Sequence, residues 1–413
     1  MRPPSVGRVP LQYWLSLLVL GTLFLTNRYL FLPADATWVN AVAGDSYGYL
    51  AMAKAFPSLP ADVSLPAHHA QRFFLPYVLG GVAWLVGAAA QDVFFPFAVL
   101  AILGVVLALH GIMDRLRLEP DKQMMLLVFL IANPYTFRYY VAIPWMVSDL
   151  GYHLGVAVLL LGLLRESPGW LFAGLLASAL SKQTALLLIP GVMSWIWWEW
   201  TSSARAVRAV RCGGVALTGV AVYLGAAWLA WGFSDFNAAA AHVTGLFGWI
   251  RTDFSLAELV GFVLRGVVGF AFPAALLLSL MITGTLPEGW YRNRKFRLSL
   301  FLTGSVFLQP LLGGPAITDK SITRLAMLGY LPLLVGLGSL LSATSLSGPL
   351  QRRLVFLSAF VVAMSSFHHF YSFLGTPDIG RAGRFAVVYV ISVALLFLGS
   401  LILQSSESSG RGG

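Results

Sequence analysis

Charged residues and cysteine are both scarce in this chain. Only 11% of its 413 residues are charged, whereas an ordinary soluble domain carries about 25%. Cys212 is the only cysteine, which excludes an intrachain disulfide and a cysteine metal cluster. Because 58% of the residues are hydrophobic, a soluble fold cannot bury them all, and the composition excludes that class of protein.

Long apolar runs make up most of the chain. Runs of about 18 residues recur along the chain, and each is long enough to cross a hydrocarbon core roughly 30 Å thick. Backbone groups in lipid must be satisfied internally, and continuous runs indicate helices rather than the alternating strands of a barrel. We therefore predict an all-α integral membrane protein, a single polytopic domain over 1–413 with about 12 transmembrane helices, between 11 and 13.

The net charge of +10 comes from basic residues in short loops, not from an extended basic domain, so we reject a nucleic-acid partner.

Short loops rich in Lys and Arg face the cytoplasm in most membrane proteins. Three loops have this character, and they carry Arg205/Arg208/Arg211, Arg292/Arg294/Lys295/Arg297 and Arg352/Arg353. This pattern predicts an integral multi-pass plasma-membrane protein with both termini in the cytoplasm, an uncleaved first helix over 11–25 and a disordered cytoplasmic tail over 405–413.

The path of residues 75–138 stays open at this stage. Apolar runs at 75–90, 93–113 and 123–138 give three segments, although parity permits only an even number of crossings before residue 149. One interpretation makes 75–113 a single crossing with an interfacial extension.

Ionisable residues gather on the non-cytoplasmic side of this predicted topology, where external cations run against the usual charge bias. Ionisable residues near the membrane are costly and usually mark function. An anionic ligand such as a lipid phosphate is one physical reason to keep them. The residues are Asp45, His68, His69, Arg72, Arg138, Asp149, His153, Lys182, Asp319 and Arg324.

The first external loop, residues 27–74, is the longest such segment of the N-terminal half, and we expect short interfacial helices within it. Asp45 and Tyr49 share one face of a helix at spacing four. Asp45 is either a general base for an acceptor hydroxyl or a helix N-cap.

Arg72 closes this loop and is a candidate for binding phosphate, with His69 and Gln71 beside it; anchoring at the lipid headgroups is the alternative. The adjacent His68 and His69 point in different directions on a helix and lack the spacing of a shared metal site.

Asp149 opens a predicted helix, and His153 follows one turn later on the same face. Helix capping explains Asp149 about as well as catalysis does. Lys182 divides the apolar stretch 169–198 into two short halves, which indicates a turn, and a lysine at such a turn suits a phosphate contact.

Asp319 and Arg324 lie in a short external loop of the second half. They are either a solvated ion pair worth less than about 1 kcal/mol or part of the same external cavity.

Together these features resemble the polytopic lipid-linked glycosyltransferases of the GT-C fold, including the protein mannosyltransferase-like and aminoarabinose-transferase-like families of bacterial membranes. The resemblance implies that this is a bacterial inner-membrane protein. That fold places an acidic residue in the loop after helix one, where Gly44-Asp45-Ser46 stands here. A Met-x-x-Asp segment opens a later helix, and a Ser-Lys turn follows the next one, which match Met146–Asp149 and Ser181-Lys182. The resemblance covers roughly residues 1–200 as a catalytic-type half, while 201–404 match only as a set of helices.

The resemblance implies sugar transfer from a polyprenyl-phosphate-linked donor to a lipid, glycan or protein acceptor on the external leaflet. Asp45 would be the base, Asp149 would position the acceptor or the base, and Lys182 with Arg72 or Arg324 would neutralise the departing phosphate. The family's second acid in the first loop is missing, which favours one catalytic carboxylate over a bound Mg²⁺ or Mn²⁺ ion.

Two other classes of function stay open. A multi-pass transporter or lipid flippase suits a dozen helices equally well, but the sequence has no internal repeat of the kind that transporters often show. A non-catalytic membrane scaffold is the third hypothesis, and it requires Asp45, Asp149 and Lys182 to lie far apart.

Overall fold

The computed structural model of this protein describes residues 45–60, 65–137, 140, 144–235, 254–318, 321–365 and 382–410. The α-helices, in chain order, are α1 Asp45–Ala55, α2 Ala67–Ala70, α3 Phe74–Val86, α4 Ala90–Arg115, α5 Pro120–Ile131, α6 Val147–Arg165, α7 Pro168–Ser181, α8 Ile189–Glu199, α9 Arg205–Ala230, α10 Leu256–Val267, α11 Ala271–Ile282, α12 Arg294–Thr318, α13 Ile322–Met327, α14 Tyr330–Leu341, α15 Gly348–Ser365 and α16 Ala382–Gly410. Short 3-10 helices cover Gln183–Leu188, Val268–Phe270 and Trp290–Arg292. A two-residue parallel pair, Leu65–Pro66 (β1) with Ser234–Asp235 (β2), completes the described secondary structure.

Six helical stretches are long and apolar enough to cross a membrane. They are Ala90–Arg115, Val147–Arg165, Arg205–Ala230, Leu256–Ile282, Arg294–Gly314 and Val387–Ser406. Shorter apolar helices cover Phe74–Val86, Pro168–Ser181 and Tyr330–Leu341. The predicted class, a helical protein with several membrane-compatible segments, is therefore confirmed, and this criterion of length and composition gives six spans.

Glycines bring α6 and α7 into backbone contact at the centre of the molecule. A Cβ atom on Gly155 would lie 2.4 Å from the Ser178 nitrogen, and one on Gly174 would lie 2.2 Å from the Leu159 nitrogen. Small residues permit this close approach of helices in lipid, where packing rather than the hydrophobic effect drives association. The two helices run antiparallel, and 83% of the membrane-length window of α6 is buried inside the protein.

Helices α4 and α6 run parallel, which shows that the chain reverses direction between them. Gly104 of α4 packs on Leu154 of α6, and seven residues later in both helices Gly111 packs on Leu161. Two parallel helices begin at the same end of the molecule, so the chain must return between them, and α5 lies in that interval.

Helix α3 begins and ends at one end of the molecule. Its Leu75 reaches the Gly151 position near the start of α6. Three residues separate α3 from α4, which starts at the same end, where Phe94 packs on Trp145 with ring centroids 5.8 Å apart. Within residues 75–113, α4 therefore runs from one end of the molecule toward the other while α3 stays at the first end, an arrangement compatible with the interpretation of this segment as one crossing with a short extension.

The basic loops lie together at the opposite end. Arg165 closes α6 with its guanidinium 3.4 Å from the Gly111 Cβ position, and Arg294 donates to the carbonyl of Trp198 at 2.9 Å. Arg208 donates to the neighbouring carbonyl of Trp197 at 2.6 Å. We call this the arginine end, and the end where α6 begins the Asp149 end.

Helix α16 corrects one prediction. Residues 405–410, expected to belong to a disordered tail, continue the helix to Gly410. Extending an existing helix fixes only one residue for each added hydrogen bond, so polar residues can prolong it beyond the apolar run. The Ser406 hydroxyl donates to the Leu403 carbonyl at 2.9 Å.

Candidate functional site

The Asp149 end holds a buried ion pair between the first turn of α6 and the residue after α7. Helix α7 ends at Ser181, and the next residue, Lys182, has an extended backbone (φ −159°, ψ 137°). Because α6 and α7 are antiparallel, the start of one meets the end of the other. The Lys182 ammonium donates to Oδ1 of Asp149, and neither side chain is exposed. The predicted turn at Lys182 is confirmed, but its side chain points into the protein and not into an external loop.

Arg324 approaches the same carboxylate from the second half of the chain. It lies on the short helix α13, and its Nε atom is 3.6 Å from Oδ2 of Asp149. Its Nη1 atom lies 3.6 Å from the sulfur of Met146. One carboxylate is thus held between an ammonium and a guanidinium group, in a part of the protein where the carboxylate has no exposure.

A second polar group lies next to this cluster and includes three predicted residues. Arg72 is buried; its Nη1 donates to the hydroxyl of Tyr49 at 3.1 Å and its Nε to the side-chain oxygen of Gln183 at 3.0 Å. The amide of Gln183 donates to Oε1 of Gln71 at 2.9 Å. Because Gln183 follows Lys182 in the chain, the two groups share one segment of backbone.

Two of the predicted histidines have different surroundings. His69 is half-buried, with its ring centroid 6.4 Å from that of Tyr49. His153 is buried one turn after Asp149, and its Nε2 lies 3.2 Å from the hydroxyl of Tyr140. His153 therefore packs as a core histidine beside the cluster, and its predicted role in substrate binding stays a prediction.

Two hydroxyl groups that the sequence did not single out flank Asp149. The Ser148 and Tyr152 hydroxyls are buried and have no hydrogen-bond partner among the described residues. Leaving a buried polar group unsatisfied costs about 1–3 kcal/mol. The sequence could have indicated Tyr152, because it follows Asp149 by three residues and therefore lies on the same face of the helix.

The remaining predicted residues are described only in part. Arg138 and Asp319 lie outside the described residues, and the side chains of Asp45 and His68 do so as well. The backbone of Asp45 begins α1, the helix that carries Tyr49. Through the bond from Tyr49 to Arg72, α1 is connected to the segment that holds Lys182.

The described side chains suit an anion better than a metal ion. Lys and Arg bind phosphate oxygens through charge-assisted hydrogen bonds, and three such side chains lie in the two adjoining groups. Within the described part of the chain, no three or more His, Cys, Asp or Glu side chains are grouped to hold a metal ion.

Comparison of the chain with protein-family models, with curated proteins and with solved structures gave no match.

Proposed function

We propose that this protein is a membrane glycosyltransferase that moves a sugar from a polyprenyl-phosphate-linked donor to an acceptor hydroxyl. The observation that carries the proposal is the buried group Asp149, Lys182 and Arg324 beside two buried hydroxyls without described partners. Buried ionisable residues in a membrane protein are expensive and mark ligand sites by default. Lys182 and Arg324 bind the donor phosphate in this proposal.

The reaction breaks the bond between the sugar C1 and the phosphate oxygen, and it forms a bond between C1 and the acceptor oxygen. The phosphate leaves with the electron pair, so cations fixed beside it lower the barrier most where charge develops. The acceptor proton passes to a carboxylate base, the role given to Asp45. Asp149 then acts as a positioning residue, because its oxygens hold Lys182 and Arg324 in place.

The protein has an apolar groove of about 1200 Å³, which favours a substrate that carries a lipid chain. Side chains of α10, α11, α12 and α16 form its walls, among them Leu264, Phe307 and Phe397. The groove adjoins the helix that carries Arg324, since the Thr323 hydroxyl donates to the carbonyl of Arg265 at 2.7 Å. A polyprenyl chain lying in the groove would bring its phosphate toward α13.

Twelve crossings are part of the proposal. We assign one crossing each to α4, α5, α6, α7, α8 with its preceding 3-10 helix, α9, α10–α11, α12, α13–α14, α15 and α16, and the twelfth to the apolar run 11–25 of the sequence. Six of these stretches meet the criterion of length and composition for a membrane span. Because Lys and Arg favour the cytoplasmic side, the arginine end faces the cytoplasm and the Asp149 end faces outward.

The test is turnover in proteoliposomes that contain the purified protein, a polyprenyl-phosphate sugar and extracted acceptor lipids. We expect wild-type protein to form a glycosylated product, and Lys182→Gln and Asp45→Asn to reduce the rate at least 100-fold, in the range found for loss of general acid–base groups. The matched control is Lys54→Gln, since Lys54 is exposed on the same helix α1.

Folding of each variant is followed by its elution as a monodisperse peak in detergent. If Lys182→Gln does not fold, Arg324→Lys replaces it, because this substitution keeps the charge and removes the guanidinium geometry. Folded variants at both Asp45 and the cation sites that turn over like wild type contradict the proposal.

A lipid flippase is the second candidate, because an apolar groove beside buried ionisable residues also suits movement of a lipid-linked sugar across the bilayer. The same proteoliposomes separate the two functions. Transfer changes the covalent structure of the donor, whereas flipping changes only the leaflet in which the intact donor lies.

A further inference from the structure

A polar cavity lies at the arginine end, on the opposite side of the molecule from Asp149. It measures about 470 Å³, which is within the range of ligand sites. Segments far apart in the sequence form it: the loop after α4, the last residue of α8, the start of α12 and the end of α14. Its lining includes Arg115, Arg117, Glu199, Arg294, Lys295 and Ser339.

Positive charge dominates this cavity. Its four cations face one carboxylate, Glu199, and that carboxylate lies 3.5 Å from Arg294. In the described ranges, no carboxylate lies within ion-pair distance of Arg115, Arg117 or Lys295. The charge of these three residues is therefore not neutralised by described parts of the protein, and an anion would neutralise it.

The backbone of Arg117 gives a second and independent indication. Arg117 has φ 55°, in the left-handed region, directly after α4. Its amide donates to the carbonyl of Asp114, and the amide of Leu118 donates to that of Met113, both at 3.1 Å. This helix-ending turn favours glycine, because only glycine adopts it without a steric penalty. Arg117 occupies this position in spite of that penalty, which favours a role for its side chain in the cavity that it lines.

The cavity lies where two membrane-compatible helices begin or end. One membrane-compatible helix ends at Arg115 and another begins at Arg294, so the proposed topology puts the cavity at the level of the lipid headgroups. Basic pockets at such a level attract anionic headgroups. Arg115, Arg117 and Arg294 are exposed, so the cavity is open to a ligand from outside the protein.

We propose that this cavity, defined by Arg115, Arg117, Arg294 and Lys295, binds a phosphate group, carried by the headgroup of an anionic phospholipid or by a free phosphate compound. The guanidinium groups and the ammonium group donate charge-assisted hydrogen bonds to the phosphate oxygens. This site is separate from the proposed donor site and does not depend on its function.

The experiment uses the full-length purified protein in detergent and measures binding by native mass spectrometry and by thermal shift. The probes are phosphatidylglycerol, phosphatidylcholine of the same acyl chains, and inorganic pyrophosphate. We expect phosphatidylglycerol to bind at least about tenfold more tightly than phosphatidylcholine, since only the first carries a net negative charge. A shift with pyrophosphate and none with phosphatidylglycerol would identify the free phosphate compound as the ligand.

Two variants separate binding from folding. Arg117→Gly relieves the left-handed strain, so its melting temperature is expected to equal or exceed that of wild type while its anion affinity falls. Lys295→Gln should weaken binding by about tenfold as well. Arg352→Gln is the matched control, because Arg352 is an exposed arginine on α15 that does not line the cavity. Equal anion affinity of wild type, Arg117→Gly and Lys295→Gln would overturn the proposal, as would the absence of binding by both anionic probes.

Discussion

Replacing Asp149 with asparagine is expected to destabilise the protein more than replacing Lys182 with methionine. Both substitutions break the same buried pair, in which neither side chain is exposed. In Lys182→Met the carboxylate keeps Arg324, whose Nε lies 3.6 Å from Oδ2. In Asp149→Asn both cations lose the carboxylate that they contact. The asymmetry follows from one anion serving two cations.

The magnitude follows from the cost of leaving a buried charge uncompensated. Removing one partner of a buried pair costs about 3–5 kcal/mol. We expect Lys182→Met near the low end and Asp149→Asn near the high end. The double variant should cost less than the sum of the two, with a coupling of about 2 kcal/mol, as for residues in direct contact.

The assay is reversible unfolding in mixed micelles of a mild detergent and dodecyl sulfate, followed by tryptophan fluorescence. Lys122→Met is the matched control. Lys122 is also buried, but it donates to the carbonyl of Thr344 at 2.9 Å and lies 3.6 Å from Glu119, a side chain that is 59% exposed. Loss of these interactions should cost only about 1–2 kcal/mol. Equal losses for all three single variants, or additivity in the double variant, would show that Asp149 does not hold both cations.

Two further predictions concern the helix packing and the membrane topology. Gly174→Ala should lower the free energy of unfolding by about 1–3 kcal/mol through overpacking against α6. Gly213→Ala has nothing within 4 Å of the added Cβ, so it should be neutral or stabilising by up to about 1 kcal/mol. Thermal unfolding compares the two variants, and equal melting temperatures would contradict the α6–α7 contact. In a Cys212→Ser background, a membrane-impermeant maleimide added to intact cells should label Ser58→Cys and not Thr201→Cys, and the reverse pattern would invert the proposed orientation.

The sequence predicts the helical class because apolar runs recur along the chain, but it does not fix the number of spans, since six helical stretches meet the criterion of length and composition. It also places Asp149 and Lys182 on the same side of the predicted topology, whereas their ion pair follows from the antiparallel contact of α6 and α7, which brings the start of one helix to the end of the other. The approach of Arg324 to this pair was one of two alternatives that the sequence left open, because Arg324 lies 178 residues from its neighbour Met146. Periodicity specifies which face of a helix is apolar, and it carries no information about which distant helix covers that face.

The path of residues 75–113 shows a second limit. Helix α3 has 13 residues, about 20 Å at the rise of an α-helix, and hydropathy does not reveal whether so short a helix crosses the bilayer. The contacts of Leu75 with the Gly151 position and of Phe94 with Trp145 place the start of α3 and the start of α4 at the same end of the molecule. Gln183 is a similar case, because a glutamine in an apolar stretch gives no sign that it connects Arg72 to Gln71.

In the proposed function, the Asp149 end binds a lipid-linked phosphate through Lys182 and Arg324. Native mass spectrometry on wild type and on Arg324→Gln can compare the binding of polyprenyl phosphate with that of the polyprenol with the same chain. We expect wild type to bind the phosphate form at least about tenfold more tightly, as for one charge-assisted contact, and Arg324→Gln to remove most of this difference. Equal binding of the two lipids by wild type, or an unchanged preference in Arg324→Gln, would contradict the proposed function.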